Sequence, residues 1–214
     1  MPENPIPVES FGLLFSRDLW ILPTAFLFMY GMVNKAVQEM VCMHYGEPVW
    51  EEIKARAGVD VELFFGNESY PDDMTYRLVT AGSQVLHLPQ EKVLEAFGEH
   101  WVVHTANGGF EGLMRAAGKT LPEFLRNLPN FHDRVCIIFP KLQPPRFTIS
   151  EVTEHSLSLH YFSDRPGLTS FVVGLLRGLG KMFGSPVQVQ VLQSKAMGAD
   201  HDVFRADWSK PSAA

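Results

Sequence analysis

Residues 157–165 read Leu157-Ser158-Leu159-His160-Tyr161-Phe162-Ser163-Asp164-Arg165. Apolar residues recur at every second position, the period of a half-buried β-strand. Side chains on a strand alternate between faces, so Leu157, Leu159, Tyr161, Ser163 and Arg165 are predicted to share one face. At a rise of about 3.3 Å per residue, Tyr161 to Arg165 would span about 13 Å. That face runs from an apolar floor to a phenol, a hydroxyl and a guanidinium, three groups that donate hydrogen bonds to a carboxylate or phosphate. A matching ligand is apolar at one end and acidic at the other. An arginine at a strand end is also commonly solvated or held in a weak surface pair, and spacing alone does not separate the two readings.

Period two continues outward. Phe147 and Ile149 mark an earlier strand, Pro186 to Gln193 a clear one, and His201 to Trp208 a weaker one. Between them, Leu168, Phe171, Val172, Leu175, Leu176 and Leu179 recur at helical spacing. Upstream of Arg146 the period is helical. Val33, Ala36, Val37, Met40 and Val41 form one stripe that Gly46 stops, and Pro48 opens a second helix ending at Gly58. Asp72-Asp73 and Pro89 open two more, a short helix fits between Gly108 and Gly118, and another starts at Leu121. Pro129 lies inside that last pattern and is predicted to kink or restart it. Helices first and then β-β-α-β-β predict an α+β fold, an N-terminal helical subdomain packed on a C-terminal antiparallel sheet with its helix. Pro144-Pro145 is the natural boundary, giving a helical half of about 29–143, an α/β half of about 144–208 and a tail of 209–214.

Composition excludes several classes. The 214 residues carry a formal net charge of -6 and no basic tract that would follow a phosphate backbone, which argues against nucleic acid as a partner. Cys42 and Cys136 make neither a disulfide framework nor a zinc motif, which suits a reducing, cytoplasmic setting. Sixteen phenylalanines point to a bulky aromatic interior or a roomy apolar pocket. The apolar run Leu19–Val33 is too short for a membrane span. Glu3, Glu9 and Arg17 before it do not make a secretory signal. Residues 1–28 read as an appendage, with Met29 an alternative initiator.

Candidate chemistry centres on His132, which follows Pro129-Asn130-Phe131 with Leu125, Leu128 and Val135 on its side. A lone histidine on an apolar face is ordinarily a core residue. Its functional alternative is a single imidazole ligand, which cannot hold a bare ion but can hold haem iron, because the porphyrin supplies four more nitrogens. Haem also carries two propionates, which the Tyr-x-Ser-x-Arg edge would clamp. His100 and His104 have the i, i+4 spacing of a zinc pair but no third ligand in sequence, and read as a partly solvated helix face. His201-Asp202 offers a candidate pair but reads rather as a loop entering a strand. The sequence holds no Gly-x-Ser-x-Gly elbow, Walker loop or dinucleotide fingerprint.

The combination of Met29-Tyr30-Gly31-x-Val33-Asn34, Asn127-Leu128-Pro129-Asn130-Phe131-His132, Pro144-Pro145-Arg146 and Leu159-His160-Tyr161-Phe162-Ser163-Asp164-Arg165 resembles the haem–nitric oxide/oxygen binding (H-NOX) domain family. That family includes the sensor domain of soluble guanylate cyclase, and the likeness is greatest to its stand-alone bacterial members. The resemblance runs from Met29 to about Trp208. It implies a haem-based sensor and not an enzyme, with haem b (iron protoporphyrin IX) between the two halves. His132 would be the iron ligand, Tyr161, Ser163 and Arg165 would bind the propionates, and Pro145 would press on the porphyrin. Family members that hold oxygen place a tyrosine hydroxyl over the iron. The matching residue here is Phe171, with Val33, Val37 and Trp101 as distal neighbours. The implied ligands are therefore nitric oxide and carbon monoxide, with oxygen rejected. The implied partner is a separate signalling protein such as a histidine kinase or a cyclic-di-nucleotide enzyme. Two other readings stand beside this one: a haem-free carrier of an apolar carboxylic acid gripped by Tyr161 and Arg165, and a metalloenzyme using His100 and His104.

Overall fold

In the computed structural model the alternating stretch is a strand of a four-stranded antiparallel sheet. The described residues are 28–106, 110–140 and 142–209, without the side chains of residues 105 and 106. Strand β3 is Arg146–Ser150, β4 Ser156–Phe162, β5 Val187–Gln193 and β6 Asp202–Trp208, in the order β3-β4-β6-β5. Register pairs Phe147 with Tyr161, and Leu159 with both Ile149 and Phe204. These residues therefore share the inner face, where Leu157, Leu159 and Phe204 are wholly buried. The predicted α+β architecture is observed.

The helical half comprises α1 (Gly31–Tyr45), α2 (Glu47–Ala57), α3 (Asp72–Leu86), α4 (Gln90–His100), α5 (Glu111–Ala117) and α6 (Leu121–Ile138), with α7 (Thr169–Met182) on the inner face of the sheet. A π-helical turn, Trp101–Ala106, continues α4. Two three-residue strands escape sequence reasoning: β1 (Phe28–Tyr30) pairs antiparallel with β2 (Ser69–Pro71). Phe28 thus belongs to the first strand, while the rest of the appendage, residues 1–27, lies outside the described residues. The helix does not restart at Pro129, for α6 runs through it. Thr120 caps α6 by accepting the Glu123 amide N–H, and Glu123 accepts in return from the Lys119 amide. Phe124, Leu125 and Leu128 are buried along its inner side. That burial offsets the single backbone bond a proline forfeits.

Two apolar cores result. One joins α5, α6, α7 and the sheet, and the other joins α1 to α4. Trp101 packs against both. Helices α4 and α7 cross at glycines: a Cβ on Gly98 would lie 2.2 Å from the Phe171 carbonyl oxygen, and one on Gly174 would lie 2.1 Å from that of Glu95. Ion pairs flank the crossing, Arg177 to Glu95 at 2.7 Å and Lys181 to Glu99 at 2.5 Å.

Candidate functional site

Helix α6 presents His132 half-buried at the face that meets β3. Its Nδ1 lies 3.1 Å from the Leu128 carbonyl oxygen. A carbonyl only accepts, so Nδ1 carries the proton and Nε2 keeps its lone pair. Burial pushes the imidazole pKa below its ordinary value, against the opposing pull of the Leu128 hydrogen bond and the Asp133 charge. A neutral imidazole with an unprotonated Nε2 is the form that binds a metal. The ring centroid lies 5.0 Å from that of Phe147, which lies 5.4 Å from Tyr161 across the strand pair. An aromatic row therefore connects His132 to the Tyr-x-Ser-x-Arg edge.

That edge differs from the sequence expectation. Strand β4 stops at Phe162, so Tyr161, Ser163 and Arg165 do not extend along one strand face. Ser163 instead folds back: its Oγ accepts the Arg165 amide N–H at 3.1 Å and is hydrogen-bonded to the Tyr161 hydroxyl. The turn thus links the Tyr161 hydroxyl to the Arg165 backbone through Ser163 Oγ. Burial raises the Tyr161 phenol pKa, so the hydroxyl stays protonated.

Arg165 is deeply engaged. Its Nε donates to Asp72 Oδ2 at 2.6 Å, its Nη1 to the Gln143 carbonyl at 2.7 Å and its Nη2 to the Phe28 carbonyl at 3.1 Å. One guanidinium thus ties β1, the start of α3 and the segment before β3 to the end of β4. A guanidinium has five N–H groups, so one on each Nη remains for a further acceptor. Sequence reasoning missed Asp72 as a partner, having assigned it only to the helix N-terminus. Beside it, the Tyr76 hydroxyl donates to the Pro166 carbonyl at 2.9 Å. Burial, and then the Asp72 charge, push that phenol up to about 12. Pro145 is half-buried in the same segment, two residues after Gln143.

The four distal candidates converge. Val37 is buried in the helical core, and Val33, Trp101 and Phe171 pack against it. Phe97 joins them, its ring 5.2 Å from Phe171 and 6.2 Å from Trp101. Of these side chains only the Trp101 indole can donate a hydrogen bond.

The zinc reading fails on geometry. His100 and His104 stack face to face at 4.6 Å and 26°, which sets their in-plane lone pairs side by side rather than aimed at one point. No group of three or more His, Cys, Asp or Glu is placed to hold a metal ion among the described residues. His100 is also buried, not on a solvated face. His201 pairs with Asp200 at 2.6 Å rather than with Asp202.

The donor set fits a haem: one neutral imidazole with a free Nε2, apolar and aromatic walls, and a Tyr-Ser-Arg cluster with two spare guanidinium N–H groups. No helix among the described residues is long and apolar enough to cross a membrane.

Comparison with known proteins agrees. Residues 30–191 match the family model described as Haem-NO-binding. An H-NOX protein from S. oneidensis in the Fe(II)NO ligation state superposes with a TM-score of 0.77 at 20% identity, covering 85% of this chain and 100% of that one. An oxygen-binding H-NOX domain related to soluble guanylate cyclases gives 0.70 at 20% identity, covering 86% and 96%. These likenesses establish the fold and do not choose between gases. Among curated relatives, soluble guanylate cyclase gcy-37 of Caenorhabditis elegans is 32% identical over 188 residues, 84% of this chain and 27% of the relative. Soluble guanylate cyclase gcy-35 of the same organism is 31% identical over 189 residues, 82% and 27%. The chain spans about a quarter of the length of these relatives.

Proposed function

The chain belongs to the Haem-NO-binding family of haem-binding gas-sensor modules, and from that premise we propose that it binds nitric oxide and carbon monoxide at a haem b, rejects oxygen, and signals to a separate effector protein. The observation that carries this reading is His132, half-buried and neutral with Nε2 free and joined through Phe147 to the Tyr161 edge. Haem supplies a ferrous iron for diatomic gases and two propionates that need a clamp.

In this reading His132 would hold the haem iron through Nε2. Tyr161, Ser163 and Arg165 hold the propionates, using the phenol, the hydroxyl and the spare guanidinium N–H groups. Pro145 bears on the porphyrin. Val33, Val37, Trp101 and Phe171 wall the gas side. Phe171 supplies no hydrogen bond, and oxygen depends on one far more than nitric oxide does, so the wall selects against oxygen. Haem would supply the iron that takes a diatomic gas. Were His132 no longer held by that group, α6 would be free to shift against β3 and the Arg165 junction. The effector class that suits a module of this kind is a histidine kinase or a cyclic-di-nucleotide enzyme in a bacterial cytoplasm.

The test is His132→Gly supplied with imidazole. Haem retention falls at least about tenfold without imidazole and returns with it, while nitric oxide no longer changes effector activity, because the imidazole is not tethered to α6. Intact effector control in that variant would overturn the reading. A colourless protein that co-purifies with a fatty acid would favour the carboxylate carrier.

A further inference from the structure

The two edges of the four-stranded sheet differ. Strand β3 follows Pro144-Pro145, which carry no backbone N–H, and bears Arg146, its guanidinium 3.8 Å over the Phe162 ring. Prolines and charges are the ordinary guards of a sheet edge. Strand β5 at the opposite edge has neither: it reads Val-Gln-Val-Gln-Val-Leu-Gln. Two hydrogen bonds fix which of its backbone groups face out. The Ser209 amide donates to the Pro186 carbonyl at 3.4 Å, and the Trp208 amide turns away to the His155 carbonyl at 2.8 Å. Val187 stands opposite Trp208, so the even-numbered residues of β5 bond to β6. Val187, Val189 and Val191 therefore direct their N–H and C=O groups outward from the sheet. Among the described residues these groups have no hydrogen-bond partner. Their side chains lie half-buried against the core on the inner face, while Gln188 and Gln190 are exposed on the outer face.

We propose that β5 pairs antiparallel with β5 of a second copy of this chain, joining two four-stranded sheets into one. Centred on Val189, the two-fold sets Val189 against itself, Val187 against Val191 and Gln188 against Gln190. Side chains alternate along a strand, so this register puts valine on valine on the inner face and glutamine on glutamine on the outer face. The strand is its own complement, as a two-fold interface requires, and glutamine amides both donate and accept across it. No charged side chain on β5 opposes the approach of two chains that each carry a net charge of -6. The register shift between Val191 and Gln193 ends the ladder there, and the guarded β3 leaves no second open edge, so pairing stops at two copies. This surface involves neither His132 nor the Arg165 junction and does not depend on haem.

The test is sedimentation of the full chain, as purified, from about 10 µM to about 1 mM, a range suited to a small interface. The dimer fraction rises with concentration. Gln188→Lys together with Gln190→Lys sets like charges opposite each other twice, on exposed positions, and weakens the dimer at least about tenfold. Gln188→Glu together with Gln190→Glu does the same. An equimolar mixture of the two variants recovers the dimer, which a folding defect in either could not produce. Val189→Pro removes an outward N–H, a change an edge strand accepts, and leaves the chain monomeric. The proposal is overturned by a monomer throughout the range, by a dimer that survives the lysine pair or Val189→Pro, or by lysine and glutamate variants that stay apart when mixed.

Discussion

Arg165 and Asp72 form a pair whose side chains are only 10% and 9% exposed. Two charges removed from water stabilise little as a pair, but removing one strands the other. Arg165→Ala should therefore cost about 3–5 kcal/mol in denaturant unfolding of the haem-free chain. Arg165→Met combined with Asp72→Asn should regain at least half of that, since no charge is left buried. Haem retention should stay low in both, which separates the clamp from the junction. A second residue-scale expectation concerns pH. His100 titrates near 4 in the folded chain, lowered first by burial and then by His104 and His44. Tyr45, Lys92, Glu99 and Lys181 line the cleft beside it. Unfolded, it returns to the ordinary imidazole value near 6.5. Between those limits the unfolded chain holds a proton that the folded chain does not, so stability falls as pH drops from about 6.5 towards 4 and is unaffected above that window. In His100→Leu, the loss of Tm between pH 7 and pH 5 should shrink by a few degrees, about 1–2 kcal/mol.

At the scale of elements, the crossing of α4 and α7 sets the spacing of Phe97, Trp101 and Phe171, the wall proposed for the gas side. Phe97 and Trp101 flank one helix and Phe171 opens the other, so their separation follows the distance between backbones. Gly174→Ala would put a methyl 2.1 Å from the Glu95 carbonyl oxygen, which neither helix can accommodate without moving. Thermal unfolding should show a loss of about 1–3 kcal/mol, with the ring contacts of Phe97 and Phe171 disturbed. The long elements were legible because periodicity accumulates over many residues: α1, α3, α4, α7 and β5 fall where the pattern places them. Strands β1 and β2 were not, since three residues cannot show a period. The π-helical turn has no sequence signature either. Pro129 misled for a different reason: local propensity favours a restart, and the buried row Phe124, Leu125 and Leu128 overrides it.

Across the whole molecule, Trp101 and the α4–α7 crossing join the two cores, and the Arg165 junction ties the two halves beside them. Arg165 holds β1 and α3 to the sheet half by a side chain, and Trp101 packs on both cores. The candidate residues His132, Tyr161, Ser163 and Arg165 stand out in the sequence by residue type and order. Their three-dimensional relation does not, because Ser163 ends the strand and Asp72, far away in sequence, takes the guanidinium. The burial of His100 was equally hidden, since i, i+4 spacing tells that two rings share a face and not that one is buried.

The most direct test of the sensor assignment is the absorption spectrum of the purified chain, reduced without oxygen and then exposed in turn to nitric oxide and to air, beside the same series for Phe171→Tyr. The expected result is a haem band that shifts with nitric oxide, no stable change towards an oxygen-bound spectrum in air, and such a change in Phe171→Tyr. A stable oxygen-bound spectrum in the unsubstituted chain would contradict the role given to Phe171. Absence of a haem band after haem is supplied would contradict the assignment of His132 and of the function itself.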